Sequence, residues 1–121
     1  MIGYVTLGTN DLARAEAFYD ALLALLGAKQ LMSNERMRLW GLPGQPLLGV
    51  CTPWDEKPAS VGNGVMVALT AGSRENVDRI HARALELGAT DEGAPGPRNG
   101  PFYGGYFRDL DGNKLVAFHM G

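Results

Sequence analysis

The sequence predicts an α+β fold in which one β-α-β-β-β unit is written twice. Three observations carry this expectation. Each half opens on an alternating strand and continues into an amphipathic stretch free of Pro and Gly that stops at a glycine. Similar residues recur at a nearly constant offset. The stretch between the halves, Cys51–Gly64, is broken by Pro and Gly, as a connection should be. Setting Tyr4 against Met66 gives an offset of 62, which also pairs Phe18 with Ile80 and Leu22 with Ala84. A one-residue slip then aligns Gly27 with Gly88. Near the ends, Gly44–Leu48 lies opposite Gly112–Val116 at an offset of 68. The growing offset is ascribed to a longer loop in the second half, Gly93–Phe102. Self-similarity of this kind marks duplicated supersecondary units. The expected organisation is one domain over 1–121, with modules at about 1–55 and 62–121.

Taken in order, Tyr4–Gly8 alternates like a strand, and Asn10 or Asp11 can cap the helix that follows. From Leu12 to Leu26, apolar residues at spacings of three and four form one face, and Gly27 ends it. Strands are expected at Lys29–Met32, Met37–Trp40 and Leu47–Thr52. The second half repeats the order: a strand at Val65–Thr70, a cap at Ser73, a helix over Arg74–Leu87 ending at Gly88, and strands near Ala89–Glu92, Tyr103–Arg108 and Lys114–Met120.

Composition excludes several classes of function. With 121 residues, the chain buries about two thirds of its unfolded surface without a staple. A net charge of −2 and a pI near 5.6 argue against nucleic acid or an anionic membrane as partner. A single cysteine, Cys51, allows no internal disulfide. Met1 leads straight into a strand pattern with no apolar signal core, and no apolar run approaches the roughly 20 residues of a membrane span. The expected location is the cytoplasm.

Three passages carry a family resemblance: Tyr4–Tyr19, with its strand-to-helix junction ending in Phe18-Tyr19; Gly62–Leu69; and Arg108–Lys114, with its Asp-x-Asp-Gly-Asn turn. Together they resemble the vicinal oxygen chelate superfamily of glyoxalase I, extradiol dioxygenases and bleomycin-resistance proteins. The resemblance covers nearly the whole chain and implies two tandem βαβββ modules forming a cup-shaped mixed sheet with helices outside. It also implies a ligand in the cup and a homodimer.

Metal-using relatives place one ligand on the first strand of each module and one on the last, usually His and Glu, whose lone pairs hold a divalent ion. The resemblance puts three of these positions at Tyr4, Met66 and Val116, and the internal repeat adds Leu48. Leucine and valine have no donor atom, and a thioether is a poor ligand for Mg, Mn, Fe or Zn. Phenols ligate only by losing a proton held with a reference pKa of about 10. The set implies no metal and no cofactor. His81 is expected to face outward or to pack against its helix, and His119, one residue out of step with Phe118, to face away from the cup. Asp109 and Asp111 sit in a Gly-Asn turn, where carboxylates bond to backbone instead of performing acid–base chemistry.

The expected pocket consists of Tyr4, Thr6, Trp40, Leu48, Met66, Tyr106, Val116 and Phe118, joined by Val50, Ala68 and Met120. Arg38, Arg98 and Arg108 are its cationic candidates. Cys51, alternating with Val50, is expected to point toward the helix, and Trp54 to serve as a lid, a dimer contact or a loop anchor. These residues suggest metal-independent binding of a small hydrophobic or aromatic molecule. The alternative is a glyoxalase-like lyase, isomerase or dioxygenase with an altered metal site, for which Tyr4 is the one catalytic candidate.

Overall fold

The structure, a computed structural model, describes residues 1–121. It divides into two compact units, Met1–Val61 and Gly62–Gly121. The first runs β1 (Tyr4–Gly8), α1 (Leu12–Leu23), a short 3-10 turn (Ala24–Leu26), β2 (Lys29–Ser33), β3 (Met37–Gly41) and β4 (Leu47–Cys51). The second runs β5 (Val67–Thr70), α2 (Arg74–Glu86), β6 (Thr90–Pro97), β7 (Phe102–Arg108) and β8 (Lys114–Met120). Each unit holds one four-stranded mixed sheet, ordered β1-β4-β3-β2 in the first and β5-β8-β7-β6 in the second. The first strand pairs in parallel with the last, and the other pairings are antiparallel. The α+β class and the β-α-β-β-β repeat are both present. No helix is long and apolar enough to cross a membrane.

The helices start where the capping chemistry is strongest. Asp11 takes the cap of α1, its carboxylate accepting from the Arg14 N–H at 3.0 Å, and Ser73 Oγ accepts from the Asn76 N–H at 3.1 Å. Asn10 instead clamps the backbone of Ala59 with its side chain, accepting at 2.7 Å and donating at 3.3 Å. At the far ends, Gly27 and Gly88 adopt φ of 72° and 105°, a region costly for any residue with a Cβ. The α-helix of the first unit stops at Leu23, and the last turn before Gly27 tightens to 3-10 geometry.

Each helix buries one stripe on its own sheet. In the first unit Phe18, Tyr19 and Leu22 are buried on α1, and Leu7, Trp40, Leu48 and Val50 are buried on the strands. The Tyr19 and Trp40 rings lie 5.6 Å apart. In the second unit Val77, Ile80, His81 and Ala84 of α2 are buried, as are Leu69, Phe107, Leu115 and Ala117. His81 fits against the sheet because Gly105 has no side chain: a Cβ there would stand 3.1 Å from the imidazole Cδ2.

Two boundaries differ from the sequence expectation. The strand expected from Val65 begins at Val67, because the Val65 N–H closes a turn onto the Gly62 carbonyl. The expected loop from Gly93 instead continues β6 as far as Pro97, with irregularities in register between Asp91 and Gly96. Proline is compatible with a strand at a sheet edge, where its missing N–H deprives no partner. β6 is such an edge.

Gly27→Ala is expected to cost about 1–2 kcal/mol, the penalty of a left-handed residue with a Cβ. Gly88→Ala should cost more, since its Cβ would also meet Leu110 Cδ2 at 3.0 Å. Urea unfolding of the two variants beside the parent measures both, and equal stability in all three would refute the assignment.

Candidate functional site

Strand register decides which side chains each sheet turns away from its helix. In the first unit Tyr4 lies opposite Leu47, Thr6 opposite Gly49, and Gly49 opposite Leu39. These residues share the face away from α1, together with Met37 and its cross-strand partner Cys51. Val5, Leu7, Leu48, Val50, Arg38 and Trp40 occupy the other face. Three sequence expectations are thereby corrected. Leu48 and Val50 belong to the helix-side core, and Cys51 points the opposite way from that core.

Trp40 is also corrected, for a reason beyond register. It is 1% exposed, and its indole Nε1–H donates to Asp20 on α1 at 2.8 Å. Arg38 is held beside it. Its Nε–H donates to Glu16 at 2.8 Å, and Gln30 Nε2 donates to the same carboxylate oxygen at 2.9 Å. The Gln30 amide, and after it the Arg38 guanidinium, draw the Glu16 carboxyl below its usual 4.5 against the opposing effect of burial. Trp40 and Arg38 thus fasten helix to sheet and do not reach the far face.

That far face carries a cleft of about 130 Å³ lined by Tyr4, Met32, Ser33, Asn34, Met37 and Leu39. An engineered apolar cavity of about 150 Å³ holds benzene, so the cleft has room for one ring. Met32, Met37 and Leu39 were missed in the sequence, where only a fixed β2–β3 register would have brought them to Tyr4. A second hollow of about 380 Å³ lies around Thr9, Asn10, Thr52, Glu56 and Lys57. Glu56 there has a φ of 62°. Trp54, in the same connection, is 84% exposed, with the Arg36 guanidinium 5.2 Å from its ring centre.

In the second unit, Ala68 lies opposite Val116 and Thr70 opposite Phe118. Across β7, Val116 faces Tyr106 and Phe118 faces Gly104. The structure therefore brings Val116, Phe118 and Tyr106 to the face away from α2, with Arg108 and Lys114 at one end. The Phe102 and Phe118 rings stack 5.4 Å apart, 3° from parallel. Met66, immediately before β5, is 44% exposed. His119 lies opposite Tyr103 on the helix side. His81 is 4% exposed, and its Nε2 lies 3.1 Å from both the Asp91 carboxylate and the Tyr106 carbonyl. Asp109 accepts the backbone N–H groups of Asp111 and Asn113, each at 2.9 Å. His81 and Asp109 are held by structural hydrogen bonds in this geometry.

The pairing also relocates one of the expected ligand positions. Ala68 pairs with Val116, while Thr6, 62 positions before Ala68, pairs with Gly49. The first-unit counterpart of Val116 is therefore Gly49 and not Leu48. Tyr4, Gly49, Met66 and Val116 supply two residues with no donor atom, one thioether and one phenol. That chemistry does not fit a divalent ion. No three His, Cys, Asp or Glu side chains gather anywhere in a group able to hold one.

A pair of β-α-β-β-β units, each with its helix packed on one face of a four-stranded mixed sheet, defines a glyoxalase-like protein. The chain belongs to the Glyoxalase/Bleomycin resistance protein/Dioxygenase superfamily, whose family profile matches residues 1–117. A solved glyoxalase/bleomycin resistance protein from Albidiferax ferrireducens T118 is 38% identical over 100% of this chain and 99% of its own, with a TM-score of 0.93. A hypothetical protein from S. aureus is 25% identical over 98% and 92%, with a TM-score of 0.78. Lactoylglutathione lyase from Agrobacterium tumefaciens shares the fold, at 21% identity, 98% and 92% coverage and a TM-score of 0.71. No curated protein is similar enough to count as a match.

The lowered pKa of Glu16 has a definite sign for stability. Its contribution is present above the usual 4.5 and is lost as pH falls through the lower folded value. Glu16→Gln should melt below the parent at neutral pH, and the gap should close as pH falls through the lowered folded value of Glu16. A gap independent of pH would show that the carboxylate charge is irrelevant.

Proposed function

We propose that this protein binds a small hydrophobic or aromatic molecule without a metal, on the sheet faces turned away from its helices. The observation that carries the proposal is chemical. The positions where relatives ligate metal hold Tyr4, Gly49, Met66 and Val116, and the two large ones among them stay open to solvent: Tyr4 is 57% and Met66 44% exposed. Large apolar side chains left exposed on a sheet face are costly unless something covers them. A cleft with room for one ring beside Tyr4 adds to the case. Thr6 provides a hydroxyl on the same face.

The chain is further proposed to act as a homodimer. Ile2, Val61 and Val65 are exposed apolar residues that a second copy would cover. A chain with one free thiol, Cys51, suits a reducing compartment such as the cytoplasm. A second reading, a metal-free isomerase or lyase, is favoured by the Tyr4 side chain, a proton donor open to solvent. One positioned acid contributes about 10²–10⁴-fold, enough for an easy reaction only.

Titration with Ni, Co, Zn, Mn and Fe(II) should give no stoichiometric binding. An aromatic ligand at about 100 times its Kd should raise stability by about 2.7 kcal/mol, equally with and without chelator. One tightly held ion per chain, or no stabilisation by any aromatic ligand, would overturn the proposal. Turnover that Tyr4→Phe abolishes would move the assignment to the enzyme.

A further inference from the structure

The far face of the second unit has an uneven charge. Lys114 and Arg108 stand directly opposite each other in the β7–β8 register, an arrangement that like charges normally destabilise. Arg108 is neutralised by Glu92 on β6. Lys114 is not paired with a carboxylate; its ammonium lies 5.5 Å from the Tyr106 ring centre. Arg98 approaches the same ring, its Cζ at 5.3 Å. Its guanidinium bonds only to neutral groups, the carbonyls of Ala94 at 2.6 Å and Pro97 at 3.4 Å. Lys114 from the β8 side and Arg98 from the β6 side thus flank one phenol ring, and neither has a carboxylate partner.

The backbone makes room for this cluster. A Cβ at Gly93 would come within 3.3 Å of both Arg98 Nη2 and Tyr106 Cδ1, and one at Gly96 within 3.1 Å of Arg98 Nη1. Carbonyl anchoring fixes the guanidinium but leaves its charge uncompensated, and an uncompensated cation pair attracts anions. Along β8 the same face passes from Lys114 to Phe118, about 13 Å at the usual rise per residue; Val116 between them is buried, so the open part of the strip is formed by the half-buried Tyr106, Phe102 and Phe118 rings. One end of the strip is cationic, and the other ends in the Phe102–Phe118 stack.

We infer that this strip selects an aromatic anion, its ring lying toward Phe118 and its carboxylate or sulfonate held by Lys114, with Arg98 across the Tyr106 ring adding a second uncompensated charge. The inference rests on the small-molecule reading above and narrows its ligand class. Tyr106 orients the two cations through its ring face.

The test is calorimetric titration of the full chain with naphthalene-2-carboxylate and with its neutral isostere, naphthalene-2-carboxamide. The acid should bind at least about tenfold more tightly, as a charge-assisted contact provides. That advantage should shrink at about 0.5 M salt. Lys114→Met should abolish the advantage while leaving amide binding unchanged, and Arg98→Gln should reduce it. Lys114→Glu should reverse the preference toward naphthalen-2-ylmethylammonium. If Lys114→Met fails to fold, Arg98→Gln, on an exposed segment, carries the same readout. Equal affinity for acid and amide, or an advantage that survives both substitutions, overturns the inference and leaves the small-molecule reading standing. Binding of neither compound overturns the inference, and the small-molecule reading falls with it only if no other aromatic ligand stabilises the chain.

Discussion

In each unit the first strand lies parallel to the last, and that pairing constrains everything else. Parallel neighbours cannot be joined by a hairpin, so the chain must leave the sheet and return. Here it leaves as a helix, which then lies on one face. The two intervening strands complete the sheet beside the last strand, making β4 and β8 inner strands with neighbours on both sides. Side-chain parity does the rest. Residues in phase with Val50 or Ala117 become core, and residues in phase with Gly49 or Val116 face away from the helix. A shift of one position in either register would exchange the two sets.

Parity also marks the limit of what the sequence revealed. Helix periodicity, caps and terminal glycines are local signals, and they located both helices and the duplication. The faces of the second unit followed correctly from alternation about Val116. In the first unit the same alternation was started one residue out of phase. Both loops before the last strand have five residues, but the left-handed glycine is third in one, Gly44, and fourth in the other, Gly112. Aligning the two glycines moved β4 by one position and sent Leu48, Val50 and Cys51 to the wrong sides. Trp40 was misplaced for a different reason. An aromatic residue with a polar tip suits a pocket and a helix–sheet junction equally well, and only Asp20 on α1, twenty residues away in sequence, decides between them.

The superfamily's sequence signature sits in elements that build the scaffold and not in elements that do chemistry. Phe18 and Tyr19 are core residues, and the Asp109–Asn113 turn ties off its own backbone. These features persist whatever occupies the sheet faces, which explains how the fold stays recognisable while its ligand positions change. A chain can therefore be placed in the superfamily over residues 1–117 on its scaffold alone, and its chemistry has to be argued from the sheet faces separately.

The two prolines of β6 have a consequence outside the folded chain. A strand at the margin of a sheet presents unpaired N–H and C=O groups that can template the addition of further strands. Pro95 and Pro97 remove two of those donors, and the irregular register between Asp91 and Gly96 breaks the spacing of the remainder. The outer margin of the second sheet is thus a poor template for edge-to-edge growth into fibrils. The same segment that makes room for Arg98 also caps the sheet against self-assembly.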